Sequence, residues 1–213
     1  MKIVFYLKKA INILSVKFYT PINKLYLKLN NASFGKGLKV RGKIYIFRHS
    51  SESKIFIGKN VTINSSGKSN PIGCGNKTYI QMVDNATLTI GDNCGLSNTA
   101  VTCASSITLE DNVLLGSGCK IYDTDFHALD YSERIKGNYK NAPIKTAPIV
   151  IKEGVFIGAG AYILKGVTIG KHSIIGAGSV VTKNIPDNEV WAGNPARFVR
   201  KVEEDYWYRI KMI

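Results

Sequence analysis

Counting in sixes from Ile151 meets Ile157, Ile163, Ile169, Ile175 and Val181, a branched aliphatic at every step. Four places after each of the first five stands a small or β-branched residue: Val155, Ala161, Val167, Ser173 and Ser179. A six-residue period fits neither one amphipathic helix nor a single half-buried strand. It predicts a coil of very short parallel strands, each turning one large side chain inward before a corner. Gly158, Gly170 and Gly176 fall at such corners. Stacked coils bury one another's apolar surface and build a continuous inner column of isoleucine.

The period reaches toward the N-terminus with interruptions. It begins imperfectly over 38–63, as LKVRGKIYIF and then SKIFIGKNVTI. Residues 64–85 are rich in Gly, Ser and Asn, which predicts irregular coils or a small excursion. The pattern returns at Leu88 and Ile90, runs to Leu96, slips by one residue, and resumes at Leu109, Leu115 and Ile121. It then stops for 28 residues, 122–149, and restarts without loss. A loop of this length in a compact domain is usually functional or disordered. An insertion that leaves its scaffold intact points to a site grafted onto it.

Both ends read as helical. Residues 1–30 alternate apolar clusters with single lysines, which predicts one or two amphipathic helices broken near Thr20-Pro21. After Val181 the period ends at Pro186, and 187–196 form a turn-rich exit. From Ala196 the run FVRKVEEDYWYRIKMI reads as an amphipathic helix packed on the last coil. The predicted organisation is a basic helical segment over 1–35, an all-β coil domain over 36–195 carrying the insertion 122–149, and a C-terminal helix over 196–213. A chain of 213 residues suits one domain with a small accessory element.

Charge sharpens the picture at one end. The net charge is +14, yet residues 1–51 hold eleven Lys and Arg and no acid, while the remainder holds eighteen against fifteen. No apolar run there is long enough to span a bilayer, and the start lacks the pattern of a signal peptide. Two compatible readings follow. The helices cap the first coil and keep their lysines in water, or the basic face also touches anionic lipid headgroups. The expected location is cytoplasmic, with peripheral contact at the inner face of the membrane through residues 1–30 as the sharper form. The basic region carries no nucleic-acid recognition motif, so no nucleic acid is expected as a partner. Cys74, Cys94, Cys103 and Cys119 form no CxxC pair and only three His are present, so no metal is expected. Cys94 and Cys119 fall at small inward-facing positions.

Chemistry concentrates in the insertion. His127 lies in DTDFH at 123–127, and imidazole is the natural general base near neutral pH. Asp123 and Asp125 could each accept a bond from its Nδ1–H and fix the tautomer, or be solvated loop carboxylates. His172 sits in a coil corner, and His49 has no assigned role. No Ser or Cys stands in a nucleophile motif, which favours direct transfer over a covalent intermediate.

The six-residue coil, with the tail GAGSVVTKNIPDNEVWAGNPARFVRKV at 176–202, resembles the hexapeptide-repeat acyltransferases, in particular the sugar O-acetyltransferase group of maltose, galactoside and polysaccharide acetyltransferases. The resemblance covers roughly residues 86–202. It implies a left-handed parallel β-helix, a handedness that the spacing itself does not give. It implies acetyl-CoA as co-substrate, a sugar or glycan hydroxyl as acceptor, His127 as base, and a homotrimer with the CoA groove between subunits. By the same resemblance the Ala159 N–H stabilises the oxyanion, and the pantetheine arm runs near Ala159, Ala177 and Thr182. Lys183, Arg197 and Arg200 would meet the CoA phosphates, the alternative being a merely basic surface. Asn98 falls near a sugar-contacting position, and Phe156 stands where many relatives have Trp. An N-acetyltransferase acting on an amino sugar or nucleotide sugar is the first alternative. A zinc enzyme of the γ-carbonic anhydrase kind needs three clustered His, and His49, His127 and His172 are widely spaced. A non-catalytic structural coil leaves the insertion unexplained.

Overall fold

The computed structural model describes the backbone of residues 2–12 and the complete residues 13–67, 72, 77–136 and 143–202. Among the described residues, twenty short strands form three faces of one coil, in sheets of six, eight and six strands. Pairing is parallel throughout, apart from a last antiparallel strand. Each six-residue step lays down one face, so three steps make a turn. Leu109, Ile151 and Ile169 are in register on the first sheet. Leu96, Leu115, Ile157 and Ile175 align on the second, and Val101, Ile121, Ile163 and Val181 on the third. All of these side chains are buried. Burying each large aliphatic is worth about 1.5–3 kcal/mol, so the column supplies most of the cohesion. Val155, Ala161, Val167, Ser173 and Ser179 fill the corners, also buried.

One corner of the coil is a stack of left-handed residues. Asn60, Asn93, Asn112, Gly154, His172 and Asn188 all have positive φ. Asn tolerates this conformation, and its side chain extends the ladder. Asn60 Nδ2 donates to Asn93 Oδ1, and Asn93 Nδ2 to Asn112 Oδ1, each at 3.3 Å. Gly154 is required at its place, because a Cβ there would lie 2.6 Å from His172 Cδ2. His172 thus belongs to the corner packing. The one-residue slip after Leu96 is absorbed at Asn98, whose φ is +48° and whose Nδ2 donates to Ser117 Oγ at 3.0 Å.

Both termini depart from the sequence-based expectation. The N-terminal segment is one helix, α1 (Lys2–Leu29), which runs through Pro21 without a break. Pro21 removes one helical hydrogen bond, and contacts to the first coil on either side of it hold the helix on course. Thr20 Oγ1 donates to Val40 O and accepts from Val40 N. Asn23 Nδ2 donates to Tyr19 O and Gly42 O, while Ile44 N donates to Asn23 Oδ1. Leu27 is fully buried beneath. The helical segment expected over 1–35 ends at Leu29, and the first strand already spans Ala32–Phe34.

At the other end, the helix expected from Ala196 is a strand, Ala196–Lys201. It returns antiparallel on Glu189–Gly193, which itself extends the eight-stranded sheet beyond Ile174–Ile175. The last parallel strand would otherwise leave a row of backbone groups unpaired, and the turn at Gly193-Asn194-Pro195 lets the chain satisfy them. The rest of the expected helix, 203–213, lies outside the described residues. So does Cys74.

Candidate active site

The insertion leaves the coil after the strand Lys120–Tyr122 and rejoins it at Ile149–Ile151. Its two ends are tied together. Thr124 bridges Thr146 in antiparallel fashion, Asp125 N donates to Lys145 O at 3.1 Å, and Ala147 N donates to Asp123 O at 3.0 Å. Further out lies a short helix, α2 (Tyr131–Ile135), capped by Asp130.

Five consecutive residues at this root form a pedestal. Asp123 is fully buried; its Oδ1 accepts from Ala104 N at 2.6 Å and its Oδ2 from Ser105 N at 2.8 Å. Burial pushes its carboxyl above the ordinary carboxylate range, against the pull of those two amides. Thr124 contributes the bridge. Asp125 Oδ1 meets Lys165 Nζ at 2.5 Å, and its other oxygen is buried with no hydrogen-bond partner among the described residues. Phe126 has φ +63°, and His127 N closes back on Asp125 O at 2.7 Å. That is a γ-turn about an aromatic residue, a strained conformation of about 1–3 kcal/mol that persists only when its surroundings enforce it. Here Tyr122 packs edge-on to Phe126, with ring centroids 5.1 Å apart, and Tyr162 stands 6.5 Å from Tyr122. His127 follows, exposed.

The two aspartates therefore do different work. Asp123 locks the root of the insertion to the preceding coil through backbone amides. Asp125 lies two residues before His127 and retains an acceptor oxygen. Lys165 and the rings of Tyr122, Phe126 and Tyr162 were not picked out by sequence reasoning. A charged residue directly after the inward Ile163-Leu164 step was the available signal for Lys165.

The expected donor-side residues lie elsewhere. Ala159 and Ala177 occupy one corner of successive coils, between the second and third sheets. Gly158 is needed between them, since a Cβ there would sit 2.5 Å from Ala177 N. Ala159 O accepts from Gly178 N at 2.8 Å, whereas its own N–H has no acceptor among the described residues. Thr182 and Lys183 are exposed beyond the last strand of the third sheet. Arg197 and Arg200 are exposed on Ala196–Lys201, paired with Ala192 and Val190. The strand Tyr162–Leu164 separates Ala159 at its start from Lys165 at its end. Asp125 and His127 belong to the Lys165 side. Asn98 is buried behind Ser117. Among the described residues no three His, Cys, Asp or Glu are grouped to hold a metal ion.

Residues 148–183 match the family model described as bacterial transferase hexapeptide (six repeats). The hexapeptide coil is also shared with named proteins. Galactoside O-acetyltransferase of Escherichia coli is 40% identical over 99 residues, 46% of this chain and 46% of that protein. The match to galactoside O-acetyltransferase of Lactococcus lactis is 40% over 100 residues, 47% of this chain and 45% of that protein. The chain spans about half the length of the curated relatives it matches. Among solved structures, a variant of AntD, an N-acyltransferase from Bacillus cereus in complex with dTDP-4-amino-4,6-dideoxyglucose and coenzyme A, superposes with a TM-score of 0.66 at 20% identity, over 89% of this chain and 94% of that one. That likeness concerns the fold. The architecture is the left-handed parallel β-helix of hexapeptide-repeat acyltransferases.

Proposed function

We propose that this chain transfers an acetyl group from acetyl-CoA to a hydroxyl of a sugar or glycan, with His127 as general base. The observation that carries the reading is the pedestal: a strained, multiply anchored turn holding one exposed imidazole at the root of an insertion in a hexapeptide coil. The match to galactoside O-acetyltransferases supports the acceptor class. A solved hexapeptide-repeat acetyltransferase of this fold holds acetyl coenzyme A, which supports the donor.

In this mechanism the His127 imidazole removes the hydroxyl proton, and the oxygen attacks the thioester carbonyl. The tetrahedral oxyanion receives the Ala159 N–H, which is preorganised for it. Collapse breaks the C–S bond, the imidazolium returns its proton to the departing thiolate, and CoA and the acetylated sugar remain. The second oxygen of Asp125, which has no partner among the described residues, is the acceptor that would take the Nδ1–H once the imidazole turns inward, stabilising the imidazolium. Lys183, Arg197 and Arg200 pair with the phosphates of CoA, and the pantetheine arm follows the corner of Ala159, Ala177 and Thr182. Asn98 supports the corner at Ser117 in this reading. By the resemblance to hexapeptide-repeat acyltransferases, the CoA groove lies between adjacent subunits. The working unit is a homotrimer, with His127 of one copy facing the Ala159 corner of the next. A cytoplasmic enzyme at the inner membrane face would meet a lipid-linked glycan acceptor.

A second reading is N-acetylation of an amino sugar or nucleotide sugar, favoured by the fold shared with AntD, whose complex contains such a sugar. The test is thiol release from acetyl-CoA against a panel of free sugars, nucleotide sugars and glycan fragments, followed by mass spectrometry of the product. His127→Ala is expected to lower kcat by about 10²- to 10⁴-fold while leaving acetyl-CoA binding intact. Full turnover by that variant would dismiss the assigned base. An amide product would replace the hydroxyl reading with the second one.

A further inference from the structure

We propose that the outward face of α1 is a docking surface for anionic lipid. The helix has a buried face and an exposed apolar one. Asn23 and Leu27, with Thr20 beside them, lie on the face buried against the first coil. Leu14, Phe18, Ile22, Leu25 and Leu29 recur at spacings of four, four, three and four, which places them in one stripe. At 100° per residue this stripe lies opposite the buried face. Leu14, Phe18, Leu25 and Leu29 are 60 to 76% exposed, so no described residue covers them. Exposed aliphatic and aromatic side chains in a continuous row mark an interaction site.

The charge beside the stripe selects the occupant. Lys17, Lys24 and Lys28 form a column along one flank, spaced by seven and four. Lys17 and Lys28 are exposed, and Lys24 reaches over the Phe34 ring at 5.9 Å. No acid occurs in the first 51 residues to neutralise them. An apolar row with a lysine flank fits the boundary between acyl chains and anionic headgroups. Two such faces from two copies would bring like charges together. Among the described residues no helix is long and apolar enough to cross a membrane, so the helix would lie on the surface.

The test is co-sedimentation of the full chain with vesicles of phosphatidylglycerol and phosphatidylcholine, against phosphatidylcholine alone, at low and high salt. Neither acceptor nor acetyl-CoA is present, so failure here leaves the acetyl-transfer reading untouched. Phe18→Glu with Leu25→Glu is expected to lower partitioning at least tenfold, about the effect of withdrawing one large apolar side chain from the bilayer. Lys17→Gln, Lys24→Gln and Lys28→Gln together should remove the salt-sensitive part, about fivefold per lysine. These side chains are exposed, so circular dichroism should report unchanged helix. A wild-type chain that stays in the supernatant with anionic vesicles at low salt overturns the proposal. So does vesicle binding that survives the glutamates while light scattering shows a smaller oligomer, which would make the stripe a contact between copies.

Discussion

Replacing Asp123 by Asn changes one atom at the point where the insertion is fastened. Both carboxylate oxygens accept a backbone amide, from Ala104 at 2.6 Å and Ser105 at 2.8 Å. Asn keeps the shape and one acceptor, but turns an NH₂ group toward the other amide. A hydrogen bond to a charged group contributes about 1.5–3 kcal/mol, and a stranded buried donor costs about 1–3 kcal/mol. Relief of the buried charge offsets part of this. A net loss of about 1–3 kcal/mol follows, which for a chain of this size lowers Tm by about 2–12 °C. The loss is local, because neighbouring coils are held by their own contacts. Hydrogen exchange at the Ala104 and Ser105 amides should therefore accelerate about tenfold or more, ahead of amides in the strand Phe156–Ile157. The pH dependence has a definite sign. Burial raises the Asp123 carboxyl in the folded chain above its unfolded value, so folding takes up a proton. That stabilisation is complete below the unfolded pKa, near 3.9 for Asp by the approximate reference scale, and is lost as pH rises through the raised folded value. The stability gap between wild type and Asp123→Asn should narrow over that window. Unchanged exchange at both amides, or a gap that widens with pH, would refute the reasoning.

Other substitutions probe the remaining layers. Lys165→Met keeps the bulk but releases Asp125; kcat should fall about tenfold with little change in the KM for acetyl-CoA, and Lys165→Arg should restore most of it. Ile157→Ala opens a cavity in the middle of the second sheet and should lower stability by about 2–5 kcal/mol, read by denaturant unfolding. The thiols of Cys94 and Cys119 are pushed up to about 11 by burial, and that of Cys103 higher still by burial beside Asp123. Alkylation at pH 8 should label these three only after unfolding, and peptide mass spectrometry would expose any native-state labelling.

What could be read from the chain followed how local its cause was. The inner column was legible because Ile151 to Val181 repeats one local instruction, and the structure aligns those residues in register across coils. The slip after Leu96 was legible too, but that Asn98 absorbs it depends on Ser117 in the next coil. The pedestal was legible only in part. DTDFH shows an imidazole and two carboxyls, but which carboxyl does what depends on Ala104, Ser105 and Lys165, which lie far off in sequence. The ends were least legible. Pro21 predicts a break by local sterics, and contacts of Thr20 and Asn23 with a distant coil override it. The run after Ala196 has a helical apolar pattern, yet an open sheet neighbour claims its first six residues.

The joined feet of the insertion bear on how such a protein can change over evolutionary time. Leu109 and Ile151 remain partners on the first sheet whatever the chain does between them. With Thr124 and Thr146 already bridged, a longer loop adds only the entropy of closure. That term grows logarithmically, so doubling the loop adds about 0.6 kcal/mol. Past the turn that ends at His127, the loop is free to vary, lengthen or be exchanged with little penalty to the coil. His127 stays on the inner side of that variable region, fixed to the scaffold. On the proposed reading, a change of acceptor then requires a new loop and no new fold.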